Sequence, residues 1–546
     1  VKTRAFSRAY FFTLGVNWGK MERMKKTKGF GIFAAVALLS GGCAFSSFAY
    51  IPYTYGTLAS ADYSKEEKEG YYKAGAYSAI SSRDQSFTSY SDVYRDKYDN
   101  GSFNGHLNLP STGEQKLLVI PVDFSDYSAS EKLPANSKEM LEQSFFGSDA
   151  HSQFYSVASY FDKASYGHLH LSGKVTSWYR SSYTYSALEM INGTSKNIPT
   201  LRAILSEAKS WYASTYPDDP IENYCFLDPK GNKVPAIYFV YACPTADSSA
   251  SSNYRDSMLW AFTINNPAPT SWSGFDLTYL KDGQVDSHTY IHEMGHILGL
   301  KDYYDVNGST DFGACSPTGR MDMMDYSLGD ESPYSKLILD WTRPYVPTAS
   351  SSITLRPFNG SGDCILIPAS STWSGSPFDE YLLLCYYTPS YLNRVDSTLR
   401  SEENRLFQHS GVEVYHVDSR LGYFDNKTSP KGYLDASIST KNQYKVDIAN
   451  DNSSAVSGAV VDTSSTLLQL LDQSSGSSKL IKNYVASDHI KTIGNDELRD
   501  SLFYEGSSFR KTTFLDLTFH NGFTPNFSFE IAAITPTSAT VQVTLA

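Results

Sequence analysis

Asp286-Ser287-His288-Thr289-Tyr290-Ile291-His292-Glu293-Met294-Gly295-His296-Ile297-Leu298-Gly299-Leu300-Lys301-Asp302 holds the pattern HExxH followed by xxGxxD. His292 and His296 stand about one turn of an α-helix apart, so both imidazoles leave the same face. There the two rings can share one Zn²⁺ at ~2.0–2.1 Å from each nitrogen. Glu293 points at water on such a metal and not at the metal itself, which suits a general base. Asp286 or Ser287 can cap the helix N-terminus, and Tyr290, Met294, Ile297 and Leu298 supply the apolar surface that buries it. Gly299, without a Cβ, lets the helix stop and the chain turn sharply. That turn can bring Asp302 beneath the metal as a third ligand. At this residue usage HExxH arises by accident in roughly one chain per hundred of this length, and Gly299 with Asp302 lowers that to roughly one in ten thousand. The competing reading is a buried helix whose histidines satisfy core hydrogen bonds. His288, one turn before His292, is expected to support the ligands or to face solvent.

HExxHxxGxxD resembles the zinc signature of metzincin-type peptidases, with Asp in place of the commoner third His. Asp302-Tyr303-Tyr304-Asp305 is similar to the immune inhibitor A family of bacterial metallopeptidases. Gly319-Arg320-Met321-Asp322-Met323-Met324-Asp325-Tyr326 resembles the Met-turn that lies under the zinc in metzincins. Met324 is assigned as the turn methionine, because Tyr326 two places later then matches a Met-x-Tyr arrangement in which the hydroxyl approaches the metal or the oxyanion. An ordinary core tyrosine is the alternative for Tyr326. The stretch Tyr334–Trp341 and the strand near Val119 look like the same family. The resemblance covers residues 113–345 well and the remainder loosely. It implies a twisted mixed sheet, a backing helix at Leu201–Tyr212 and the zinc helix below, with Val234–Tyr241 as the edge strand that takes extended substrate. A thermolysin-like architecture would draw its third ligand from Glu331 instead, the only Glu between Glu293 and Glu380. Asp305, Asn307 and Asp311 carry oxygen donors for Ca²⁺ in a Gly-containing loop, against the plainer reading of a solvated acidic loop.

The 546-residue chain has 46 Lys plus Arg against 58 Asp plus Glu, a formal net charge of -12. That balance argues against a nucleic-acid partner, since phosphate contacts need clustered basic residues. Hydrophobic content of 41% with 14% aromatic residues argues against disorder throughout. Charged residues are 19% and Tyr alone fills 41 positions, a hydroxyl-rich surface that fits an exported protein. Met24-Lys25-Lys26-Thr27-Lys28 and the apolar run Gly29 to Leu39 read as an export signal, too short for a bilayer span. Leu39-Ser40-Gly41-Gly42-Cys43 resembles a lipobox, and Ser47-Phe48-Ala49 is a competing cleavage site. Residues 1–23 read as a mis-assigned upstream segment. Six cysteines with no CxxC pair exclude a Cys-based metal cluster; a Cys364–Cys385 pair is one of several that sequence leaves open.

The expected organisation is 24–43 export signal, 44–112 linker or pro-segment, 113–345 peptidase domain and 346–546 a β-rich region of one or two sandwich-like modules. The fold class is α+β followed by all-β. Leu117–Phe124 is nearly continuously apolar, as a buried strand requires. Ser156–Ser165 has helical spacing, Leu169 and Leu171 alternate as in a strand, and Leu201–Tyr212 is amphipathic. Past Trp341 short β-rich runs recur between Ser, Gly, Asn and Pro clusters. The expected function is a monomeric, extracellular or lipid-anchored zinc endopeptidase that acts on protein or peptide substrate. Two other classes stay open: a surface protein- or glycan-binding lipoprotein without catalysis, and an amidase of cell-wall peptides.

Overall fold

The computed structural model describes residues 108–148, 154–185, 189–190, 198–228, 231–243, 256–257, 261–264, 268–275, 285–303, 318–347, 349–369, 379–398, 406–419, 421–424, 430–433, 444–447, 467–471, 501–510, 519 and 521–546. The export signal, Cys43, nearly all of 44–112 and the loop with Asp305, Asn307 and Asp311 lie outside the described residues. No helix among those described is long and apolar enough to cross a membrane.

The first sheet is built on β1 (Gly113–Asp123), with β2 (Leu169–Val175), β3 (Ile237–Tyr241), β4 (Phe262–Ile264) and β5 (Thr270–Gly274) in the order β2-β1-β3-β5-β4. All neighbours are parallel except β4, which runs antiparallel to β5 at one edge. Ile237–Tyr241 is therefore an interior strand, paired on both sides, and not the edge strand expected from the sequence. Its run Ile-Tyr-Phe-Val-Tyr is buried at every position, as a parallel strand covered on both faces must be. Among the described residues the edge on the β5 side belongs to Phe262–Ile264, too short for its periodicity to announce it.

Because successive strand residues face opposite ways, β1 and β3 feed two cores. Leu117, Val119, Tyr238 and Val240 pack with α4 (His288–Leu298), which follows α1 (Ser137–Phe146), α2 (Val157–Ala164) and α3 (Ile198–Thr215) in the chain. Leu118, Ile120, Ile237 and Phe239 pack on the other side with Leu201, Ile204, Ala208 and Tyr212 of α3. The result is three layers, helix–sheet–helix. Ser156 accepts a hydrogen bond from Ser159 N at 3.1 Å to start α2, whose Val157, Tyr160, Phe161 and Ala164 are buried.

Two short helices follow the α4 segment: α5 (Met323–Tyr326) and α6 (Pro333–Ile338), the latter with Pro333 in its first turn and Ser332 capping it. Beyond them β6 (Ser351–Leu355) joins a four-stranded antiparallel sheet with strands near the C-terminus. A second sheet holds β7 (Cys364–Pro368), β8 (Glu380–Tyr387) and β9 (Gly411–Asp418), with Leu468–Leu470 beside β9. Ile353, Ile365, Leu384, Val414, Phe529 and Val541 bring the two sheets face to face in one core. The opposite face of the second sheet, through Leu366, Leu383, Tyr415 and Val417, shares its core with α4. Apolar packing thus runs without a break across residue 345.

Candidate metal centre

α4 is buried along its whole length. Asp286, rather than Ser287, satisfies its first turn, accepting from His288 N at 3.0 Å. Ile291, Met294, Ile297 and Leu298 are shielded from water, each contributing ~1.5–3 kcal/mol of burial. At the other end Gly299 takes φ +104, and Gly299 N and Leu300 N donate back to His296 O and Gly295 O. A left-handed residue here favours glycine. The reversed chain then places Asp302 against the histidine pair.

Met323 O and Leu300 O are the acceptors of His292 Nδ1 and His296 Nδ1, at 2.9 and 2.8 Å. A carbonyl only accepts, so each Nδ1 carries a proton, and each Nε2 is the nitrogen left to bind a metal once it is deprotonated. Both Nε2 atoms face Asp302 Oδ1, at 3.0 and 3.2 Å. Ligand atoms placed 2.0–2.1 Å from a tetrahedral zinc lie about 3.3 Å apart. Two imidazole nitrogens, each near that spacing from one carboxylate oxygen and all from buried residues, fit a three-ligand metal site. His292, Glu293 and His296 also group closely enough to hold an ion, with ligand-type atoms within 4.8 Å of one another. For the ligand set we favour Asp302 over Glu293, because Asp302 Oδ1 sits on both imidazoles.

Charge at the site follows from burial and these contacts. Burial works to lower the pKa of His296, but the Asp302 carboxylate outweighs it and takes the imidazole up to about 9. Burial works to raise Asp302, and the His296 and His292 rings hold it well below the usual carboxylate range instead. Glu293 is raised, chiefly by burial, with His296 and His292 opposing.

Glu293 is held from the sheet edge. Thr263 Oγ1, on β4, donates to Glu293 Oε2 at 2.8 Å. That hydroxyl lies 2.7 Å from Ser271 Oγ, so the chain runs from Ser271 through Thr263 to the carboxylate. Glu293 Oε1 is buried and has no hydrogen-bond partner among the described residues. Sequence reading missed Thr263 and Ser271, since neither lies near the motif in the chain.

Met324 lies under α4: a Cβ on Gly295 would collide with its Sδ. Gly295 is thus the gap that admits the methionine between the two histidine turns, and a glycine inside a helical pattern is its only sequence signal. The α5 turn is held by Asp322, which accepts from Met324 N at 2.6 Å, Ser332 N at 2.7 Å and Ser335 Oγ at 2.9 Å. Asp322 therefore fixes the turn whose Met323 carbonyl orients His292. Tyr326 ends the turn half-buried, with the Arg320 guanidinium 4.2 Å from its ring centre.

Glu331 is placed elsewhere, in a small cavity lined with Asp330, Asn359, Tyr387, Asn393 and Glu413. His288 is buried, not exposed. Its Nδ1 lies 2.6 Å from Asp286 Oδ1 and its Nε2 3.2 Å from Asp396 Oδ1, while Phe154 stacks on the ring at 3.9 Å. Asp396 belongs to α7 (Arg394–Thr398), so this contact ties the histidine helix to the region beyond residue 345.

No family model matches the chain, and no curated protein matches it. Solved structures of OgpA from Akkermansia muciniphila are similar to it. Wild-type OgpA is 14% identical over 58% of this chain and 86% of that one, with a TM-score of 0.23. A catalytically inactive OgpA in complex with an O-glycopeptide (glycodrosocin) substrate is 12% identical over 58% and 87%, with a TM-score of 0.24. At those TM-scores the likeness carries neither fold nor activity over to this chain. The resemblance to the immune inhibitor A family accordingly rests on the motifs alone.

Proposed function

We propose that this chain is a secreted or surface-anchored zinc-dependent endopeptidase of the metzincin type, acting on extracellular proteins. The observation that carries the reading is the convergence of His292 Nε2, His296 Nε2 and Asp302 Oδ1, with Glu293 beside them. These three residues would hold the zinc, which when bound supplies Lewis acidity toward the scissile carbonyl and lowers the pKa of its water. Glu293 Oε1, buried and without a hydrogen-bond partner among the described residues, takes the proton from the attacking water and returns it to the leaving amine. Thr263 keeps the carboxylate in place by occupying Oε2. Burial that raises the Glu293 pKa makes it a better proton acceptor than a solvated carboxylate. Tyr326 is assigned as an auxiliary donor to the developing oxyanion.

β4 is the edge of its sheet among the described residues, and it already touches Glu293 through Thr263. An extended peptide adding to that edge would lie across the histidine pair. The test is cleavage by the full chain of an unstructured protein such as casein, beside purified peptidoglycan, with and without a chelator. Chelator-sensitive casein cleavage is expected. Release from peptidoglycan alone would move the assignment to a cell-wall amidase, and zinc binding without turnover of either would favour a binding protein.

A further inference from the structure

Cys364 and Cys385 stand directly opposite each other on the antiparallel strands β7 and β8. The kind of pair they form follows from the hydrogen bonds on the far side of β7. There Tyr345 N donates to Cys364 O at 2.7 Å, and Leu366 N donates to Tyr345 O at 2.8 Å. Those groups of Cys364 and Leu366 point away from β8, which leaves Ile365 to bond toward it. Ile365–Leu384 is thus the hydrogen-bonded pair, and Cys364–Cys385 is the non-hydrogen-bonded one, with Cα atoms expected about 4.5 Å apart. That separation lies inside the ~4.4–6.8 Å that a disulfide spans.

The side chains also share a face. Both cysteines belong to the core that includes α4, whereas their neighbours Ile365 and Leu384 belong to the core between the two β-sheets. Both cysteines are fully buried, and no disulfide joins them in this structure. Cys385 Sγ donates to Glu413 Oε2 at 3.2 Å, and Cys364 Sγ lies 4.0 Å from Thr342 Oγ1.

We propose that Cys364 and Cys385 are a disulfide-forming site, closed by oxidation when the chain folds in an oxidising compartment. With glutathione disulfide as the oxidant, one cysteine thiolate attacks its S–S bond and expels a glutathione thiolate. The second cysteine gives up its proton and attacks the protein sulfur of that mixed disulfide, forming the cross-strand bond and expelling the second glutathione. The two protein thiols lose two electrons, and the two glutathione thiolates take up the two protons released. Burial pushes the Cys385 thiol up, and the thiolate is the attacking species. The exchange therefore belongs to folding, before β8 is covered. The bond would staple β7 to β8, the strand against which α6 packs. It needs no zinc and no catalysis, so its failure and the failure of the peptidase reading are separate results.

No Lys or Arg lies between the two cysteines, so a tryptic digest keeps both in one peptide. The full chain is produced once in a bacterial periplasm and once in a reducing cytoplasm, then unfolded in alkylating agent without reductant. The periplasmic peptide should carry no alkyl group and weigh two hydrogens less than the thiol form. The cytoplasmic peptide should carry two alkyl groups. Two alkyl groups on the periplasmic peptide would overturn the proposal, as would a bond from either sulfur to a different cysteine peptide.

Discussion

Glu293 has one carboxylate oxygen bonded to Thr263 and the other without a partner among the described residues. Glu293→Gln keeps the shape and an acceptor for Thr263 but removes the basic oxygen, so cleavage should be lost while zinc stays bound. Thr263→Val removes the hydroxyl at nearly constant volume. A hydrogen bond to a charged group contributes about 1.5–3 kcal/mol, which corresponds to a roughly ten- to hundred-fold fall in kcat. Thr263→Ser should restore most of it, and steady-state kinetics on a peptide would show whether it does. Tyr326→Phe should lower kcat with little change in KM if its hydroxyl reaches the oxyanion, and leave both unchanged if it is only a core residue. The histidines, Glu293 and Asp302 were legible because their spacing is fixed by helix geometry and one glycine turn. Thr263, Asp322 and the Asp286–His288–Asp396 contact were not, because they meet only after the chain folds over distances that no local pattern records.

At the scale of elements, Gly295 and Met324 are one unit. Gly295→Ala sets a Cβ against the buried Met324 Sδ, so the methionine must shift, which should cost about 1–3 kcal/mol of stability. It should also weaken zinc binding, because the displaced turn carries the Met323 carbonyl that orients His292. Thermal unfolding of the metal-free protein and competitive zinc titration measure the two effects separately, and an unchanged affinity would detach the turn from the ligands. The sequence pattern located β1, α2, β2 and α3 because each has a buried face at the period of its element. It misplaced the sheet edge, since Phe262–Ile264 is three residues long while the fully apolar Ile237–Tyr241 is just as consistent with an interior strand.

Over the whole molecule, the helix–sheet–helix part and the β-rich part meet at a buried group of acids behind α5 and α6. Lys336 Nζ lies 2.6 Å from Asp330 Oδ2 there. Glu413 is pushed up to about 8, first by burial, and Asp330 to about 6, burial again outweighing Lys336. An acid whose folded pKa is raised binds more protons folded than unfolded, so stability falls as pH rises. The stabilisation from Glu413 is full below about pH 4.5 and lost as pH climbs through 8. Unfolding midpoints of the metal-free chain should therefore drop between about pH 5 and 8, by free energies on the order of a few kcal/mol. Glu413→Gln should flatten that slope, and an equally steep slope in the variant would contradict this account of the interface. Such coupling between distant segments left no mark in the sequence beyond isolated acidic residues in apolar runs.

The claim that the rest depends on is that His292, His296 and Asp302 hold a zinc that works with Glu293. Metal analysis and casein cleavage on the full chain, beside Glu293→Gln and His292→Ala, test it most directly. The expected result is one zinc in the parent and in Glu293→Gln, none in His292→Ala, and cleavage in the parent alone. A parent without zinc, or a Glu293→Gln variant that cleaves as fast as the parent, would contradict it.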